Sequence, residues 1–289
     1  MKVNPLGPFC LFRPFRLLCL FGLFRLSSSS AIFLFCAIML SVVIITYNEE
    51  LNIRRCLESI EGVGDEIIVV DSGSVDNTAE ICRSMGAKVI QQDFLGYIEQ
   101  KNFATAQAKN DWVLSLDADE ALTPELKAAI LSIFPDPKAD GYMINRLTNY
   151  CGTWVRHSGW YPDAKLRLYD RRKGQWTGVN PHDRFRLNLG STISQLKGDL
   201  QHYSYNTISD HIKQIDRFST IGALSMFNKG VRSSILKILY KPFARFMRHY
   251  VFKLGFLDGL TGFTIAVNSG HAVFLKYLRL YYLQKGISL

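Results

Sequence analysis

The sequence predicts an α/β fold, a mostly parallel sheet with helices on both faces, and three observations carry that prediction. The continuous β-branched run 41–46 and the run 66–70 read as buried strands, and 112–116 (WVLSL) as a further strand. Stretches of helical periodicity alternate with them at the spacing of βαβ units. Polar clusters follow three of the strands (46–49, 71–74 and 117–120), at the carboxyl ends where open α/β sheets bind ligands.

The elements follow in order. The first strand, 41–46, runs into the polar loop Tyr47-Asn48-Glu49-Glu50, and a helix is expected over 51–60 with Leu51, Ile53, Leu57 and Ile60 apolar. The second strand ends at Asp71, in the turn Asp71-Ser72-Gly73-Ser74. Asp76-Asn77-Thr78 then leads into a helix over 79–85. A third strand is expected at 88–91, a helix at 97–109, and a fourth strand ending at Asp117.

Asp117-Ala118-Asp119 follows that fourth strand directly. Two carboxylates two residues apart in a turn can converge on one hard cation, magnesium or manganese. Such an ion neutralises a diphosphate both as it binds and as it leaves. Asp71 either accepts hydrogen bonds from a base or ribose or caps its own turn through Ser72 and Ser74. No GxGxxG follows the first strand and no GxxxxGK[ST] occurs, which argues against dinucleotide oxidoreductases and P-loop NTPases.

Charge divides the 289 residues into three parts. Residues 1–40 carry +4 and residues 229–289 carry +9, which leaves −4 for 41–228 out of a total of +9. The basic ends are interleaved with Phe, Leu, Ile and Tyr and hold no nucleic-acid motif, so they point to an anionic membrane surface rather than to nucleic acid. In the first part, the apolar runs 17–26 and 31–40 are separated by Arg25 and Ser27–Ser30, and each is shorter than the ~20 residues of a membrane span. A secretory signal or an extended span competes there with Met39 as the native start, opening straight onto the first strand. In the last part, residues 231–251 alternate basic and apolar at helical spacing, interrupted at Pro242, and a turn at 255–259 precedes a second helical stretch over 263–282. Asn268, Ser269, His271, Lys276 and Arg279 argue against a span there. A pair of amphipathic helices on the anionic cytoplasmic leaflet fits better. The six cysteines show neither CxxC nor Cys/His spacing, and read as reduced, buried thiols without a zinc site.

The strings VVIITYNEE, EIIVVDSGSVDNT and WVLSLDADE, in this order and spacing, resemble the family-2 glycosyltransferases, inverting enzymes with the GT-A nucleotide-diphosphosugar fold. The resemblance covers roughly residues 41–220. It implies that Thr46, Asn48 and Glu49 line a nucleotide-sugar pocket, that Asp71 meets the nucleoside, and that Asp117 and Asp119 serve ribose and metal, Asp119 being the closer metal ligand. Further on, Trp160-Tyr161-Pro162-Asp163, Lys165–Tyr169, Trp176, Val179–Asp183 and Leu200–Tyr205 look like the lipopolysaccharide core β-glucosyltransferases, whose His-Glu pair is His182-Asp183 here. That implies UDP-glucose as donor and a lipid-linked inner-core glycan as acceptor.

An inverting transfer needs a carboxylate base and an electrophile for the leaving group. Asp183 is the expected base, with Asp163 as runner-up, and the Asp119-bound cation is the electrophile. His202 either completes the metal shell or is structural. Lys101 and Arg167 either meet diphosphate charge or serve as ion-pair partners. Trp160, Tyr161 and Trp176 form either a sugar-stacking platform or core. Transfer to a polyprenyl phosphate or another glycan, and a catalytically silent sugar-nucleotide-binding membrane adaptor, are the competing functions. Retention of the DxD acids and a base argues against the adaptor.

Overall fold

A computed structural model describes residues 39–288 except Pro135 and Pro181. The expectations for residues 1–38, with the alternative start they imply, lie outside the described residues. The first half alternates as the sequence pattern requires: β1 (Leu40–Thr46), α1 (Ile53–Ser59), β2 (Glu66–Asp71), α2 (Thr78–Ser84), β3 (Lys88–Gln91), α3 (Tyr97–Ala106) and β4 (Trp112–Asp117). Helix α3 stops short of the expected residue 109. The backbone N–H groups of Lys109 and Asn110 turn instead to the side chains of Glu66 and Ser41. There follow β5 (Glu120–Leu122), α4 (Pro124–Ile133), β6 (Gly141–Tyr150), β7 (Thr153–Val155), β8 (Asp163–Asp170), β9 (Gly174–Val179), β10 (His182–Leu187) and β11 (Ile193–Tyr205), then α5 (Ile208–Asn228), α6 (Ile235–Met247) and α7 (Gly259–Leu283).

One sheet runs in the order β3-β2-β1-β4-β8-β6-β11-β5, with β7 on β6. Strands β1 to β4 pair in parallel. Strand β8 is antiparallel to both β4 and β6, and β11 is parallel to β6. Strands β1 to β4, β6 and β11 therefore point one way, and β5, β7 and β8 return. The strand period of two divides the β-branched residues between two cores. Val42, Ile44, Val69 and Leu114 pack against Ile53, Leu57, Leu126 and Ile130 on one face. Val43, Ile68, Val70 and Val113 meet Ala104, Tyr169, Trp176 and Phe185 on the other. The β9–β10 hairpin is fixed to this second face by the stack of Phe185 on Tyr169 (3.5 Å between ring centroids) and by Trp176 Nε1, which donates to the Tyr169 hydroxyl at 2.9 Å.

Two findings correct the sequence reading of the remainder, and a third adds to it. First, the expected interruption at Pro242 is absent: α6 runs through that residue to Met247, where a turn of π geometry, Arg248–Phe252, takes over. A proline removes one helical N–H and crowds one carbonyl. Gly270 of α7 lies opposite, where an added Cβ would stand 3.1 Å from the Pro242 carbonyl oxygen, so α7 closes tightly over that turn. Second, Cys151 is exposed, whereas Cys56 and Cys82 are buried as expected. Third, the stretch after residue 228 is fastened to the rest. Asp258 accepts from the backbone N–H of Arg156 (3.2 Å) and His157 (3.0 Å) and from Ser158 Oγ (2.8 Å), and His249 Nδ1 lies 2.7 Å from the Ser158 carbonyl oxygen. No single described helix is long and apolar enough to cross a membrane; residues 235–252 and 255–283 reach that length and composition only as a pair bent by 72°.

The α5–α7 contact has a polar centre. His211 is buried there, with Nδ1 3.0 Å from the Tyr150 hydroxyl and 3.1 Å from the Asn268 amide nitrogen. The Asn268 amide nitrogen can only donate, so the imidazole accepts and is neutral. Burial pushes the His211 pKa down to about 4. The folded value lies below the unfolded one, so this contribution to stability is complete above pH ~6.5 and is lost on acidification. Between pH 7 and pH 5 the loss is expected to reach at most about 2 kcal/mol, solvent screening reducing it. Urea denaturation at the two pH values checks this, and His211→Gln should flatten the dependence.

Candidate active site

The strand register brings the three polar clusters together. Thr46 pairs with Asp71 across β1 and β2, and Ile45 with Asp117 across β1 and β4. At this edge of the sheet opens a cleft of about 720 Å³. Of the residues expected there, Thr46, Glu49, Asp117, Asp119 and His202 line it. Thr46 Oγ1 is buried and has no hydrogen-bond partner among the described residues.

Asn48 and Asp71 serve the walls instead. Asn48 takes a left-handed φ of 52°, a conformation asparagine tolerates. Its Oδ1 accepts from Val75 N–H at 2.9 Å and its own N–H donates to Ser74 Oγ at 2.9 Å, which locks the loop after β1 to the loop after β2. Asp71 is fully buried. It accepts from Ser74 N–H (3.0 Å), from the Ser74 hydroxyl and from Gln91 Nε2 (2.7 Å). Its carboxylate holds the turn, and Ser72 is the residue of that turn on the cleft.

The two acids of the DxD turn have separate surroundings. Asp117 lies 2.7 Å from Arg167 Nη2 and 3.0 Å from Lys101 Nζ. Burial alone would raise its pKa, but Arg167 and Lys101 hold it far below the usual carboxylate range. Glu120, fully buried, accepts from Arg167 and from the Asp117 N–H (3.0 Å), so Arg167 is gripped from two sides. Asp117 is thereby engaged by cations while it also lines the cleft. Lys101 and Arg167 line a second cavity rather than this cleft, and both are ion-pair partners of Asp117.

Asp119 points to the other side. Its Oδ2 is 3.1 Å from His202 Nε2, and its carbonyl accepts from Tyr203 N–H at 2.9 Å, which ties the turn to β11. Burial would raise the Asp119 pKa, but His202 keeps it low. Glu49 is pushed up to about 7, first by burial and then by Asp119. Among the described residues no group of three His, Cys, Asp or Glu side chains stands ready for a metal ion. Asp119 and His202 make a pair, which suits a hard cation that takes its remaining oxygens from substrate phosphate and water.

The two base candidates flank this turn. Asp163 shares a smaller cavity with Asp119, His202 and Trp160. Both of its oxygens are occupied, one by Arg146 (2.8 Å) and one by Lys165 (2.9 Å). Asp183 stands on β10 with Oδ2 2.8 Å from Lys101 Nζ, and lines a cavity that shares Asp117 but not Asp119. Trp176 is core; Trp160 packs on Tyr150 and Tyr205 while lining the smaller cavity, and the Tyr161 hydroxyl donates to Asp199 at 2.9 Å.

Sequence reasoning missed Phe94, Tyr97, Gln214 and Arg217, all of which line the cleft. Phe94 and Tyr97 follow β3, whose carboxyl end had the same claim to attention as the other three. Gln214 and Arg217 lie three apart on α5, hence on one face, but only the packing of α5 shows that this face meets the cleft.

The sequence profile of Glycosyl transferase family 2 matches residues 41–191. An uncharacterized glycosyltransferase of Rickettsia typhi is 32% identical over 251 residues, which are 83% of this chain and 86% of that one. The lipopolysaccharide core biosynthesis glycosyltransferase LpsC of Rhizobium meliloti is 27% identical over 248 residues, 84% of this chain and 92% of that one. A dolichyl-phosphate hexose transferase of Haloferax volcanii is 37% identical over 123 residues, 40% of this chain and 52% of that one.

The buried network sets a stability prediction. Arg167→Met removes the cation between two buried carboxylates and is expected to cost about 3–5 kcal/mol in chemical denaturation.

Proposed function

The chain belongs to glycosyl transferase family 2, and on that premise we propose that it moves glucose from UDP-glucose onto a lipid-linked glycan of the lipopolysaccharide core, by an inverting single displacement. The observation that carries the reading is the Asp119–His202 pair on a cleft at the carboxyl ends of β1 and β4. Similarity to LpsC along most of both chains supports the acceptor class.

The residues divide the work. Ser72, Phe94 and Tyr97 offer the nucleoside a polar edge and aromatic faces. Asp119 and His202 would hold magnesium or manganese, and such an ion, when bound, supplies positive charge to a departing diphosphate. Arg217 is exposed on the same cleft with no ion-pair partner among the described residues, and adds a cation to that wall. Asp183 takes the proton of the attacking hydroxyl. Lys101 orients its Oδ2, and no hydrogen-bond partner to its Oδ1 is found among the described residues, whereas Asp163 has no oxygen left over.

The same reading puts the protein on the inner face of the cytoplasmic membrane. Leu236, Leu239, Phe243 and Phe252 are 66–76% exposed on α6 and the following turn, beside Lys237, Lys241 and Arg248 in the sequence. Apolar side chains between basic ones suit an anionic leaflet, each near-surface cation adding about 1 kcal/mol. A second reading, a polyprenyl-phosphate acceptor, is favoured by the similarity to the dolichyl-phosphate hexose transferase, which extends over 40% of this chain.

Purified protein, supplied with a panel of nucleotide-sugars and either core lipid or polyprenyl phosphate, should transfer glucose to core lipid, and only with manganese or magnesium. Full activity in chelator, or in Asp119→Asn, would refute the metal assignment; transfer to polyprenyl phosphate alone selects the second reading. Asp183→Asn should lower turnover by about 10²–10⁴-fold with little change in donor KM, and Asp163→Asn by far less. Flotation with anionic liposomes at low salt should carry the protein upward, and neutral liposomes should not.

A further inference from the structure

A second cavity, of about 710 Å³, lies behind the Asp117–Arg167 pair, between β8 and the β9–β10 hairpin. We propose that it binds the acceptor through an anionic group on the sugar, a phosphate or a carboxylate; the assignment rests on the glycosyltransferase reading and names the class of acceptor.

Its lining carries six cationic side chains, Lys101, Arg146, Lys165, Arg167, Arg184 and Arg186, against the two carboxylates of Asp117 and Asp183. Both carboxylates are already matched, Asp117 by Arg167 and Lys101, and Asp183 by Lys101. Arg146 and Lys165 are matched by Asp163. Arg184 and Arg186 are exposed and have no ion-pair partner among the described residues. The surplus of charge is therefore theirs.

A second observation points the same way. Arg167 is 3% exposed, and its Nε is buried without a hydrogen-bond partner among the described residues. With Nη2 engaged by Asp117 and Glu120, the Nε–H remains as a single charge-assisted donor for an anionic oxygen. Met143, Leu166 and Trp176 add apolar lining, as sugar-binding walls require. Arg184 and Arg186 also stand on the strand that carries Asp183. Strand alternation sets Arg184 and Arg186 on the opposite face of β10 from Asp183 and Phe185, at the exposed rim of the cavity.

The test uses full-length protein saturated with UDP and manganese, so that the donor cleft is filled. Glucose 6-phosphate, glucuronate and glucose are titrated by ligand-observed NMR. At least one anionic sugar should bind, at least tenfold more tightly than glucose, and the preference between the two separates phosphate from carboxylate. The double variant R184E/R186E should weaken that binding by more than tenfold, and R184K/R186K by about threefold, with UDP affinity and thermal melts reporting on folding. Equal binding of glucose and the anions, or unchanged affinity in R184E/R186E, overturns the acceptor site while leaving the donor reading intact. Failure of wild-type protein to bind UDP overturns the donor reading and the acceptor site together.

Discussion

Arg167 in its buried cage is the constraint on which the site depends. A charge withdrawn from water is costly, and several charges are tolerated only when each is matched and held in place. Arg167 meets Asp117 and Glu120, Lys101 meets Asp117 and Asp183, and Arg146 approaches Glu120 at 3.6 Å. The network joins β4, β5, β6, β8, β10 and α3 at one point. It also turns Asp117 away from Asp119, so that two acids of one short motif have different partners. The return strand β8 makes this possible: it enters between β4 and β6, and brings a cation to a parallel sheet edge otherwise rich in acids.

The same arrangement explains what the sequence made legible. The β-branched runs fix β1 and β2 and the mainly apolar WVLSL fixes β4, because a strand buried on both faces has no polar alternation to disguise it. The order of the strands then places Thr46, Glu49, Asp117 and Asp119 at one edge without further information. What stayed hidden depends on partners distant in the chain. Asp117 meets a residue 50 positions away and Lys101 one 82 positions away, and no local pattern says whether such a charge faces a ligand or another side chain. Asp71 is similar: a turn acid looks alike in sequence whatever it holds, and only the structure shows its partners Ser74 and Gln91.

The C-terminal segment adds a further coupling. Asp258 and His249 hold the loop at 156–159, which leads directly to Trp160 and Asp163 on the smaller cavity. Helix α5 meets α7 through His211 and, on the next turn, carries Gln214 and Arg217 to the cleft. Two independent tethers therefore run from the segment with the exposed apolar face to the walls of the site. On the proposed function, seating that face on a lipid surface would restrain α7, and through these tethers the same restraint would reach the loop beside the smaller cavity and the helix beside the cleft. A membrane would then, on that same proposed function, act in two ways: by concentrating a lipid-linked acceptor, and by narrowing the conformations of the walls of the cleft and of the smaller cavity.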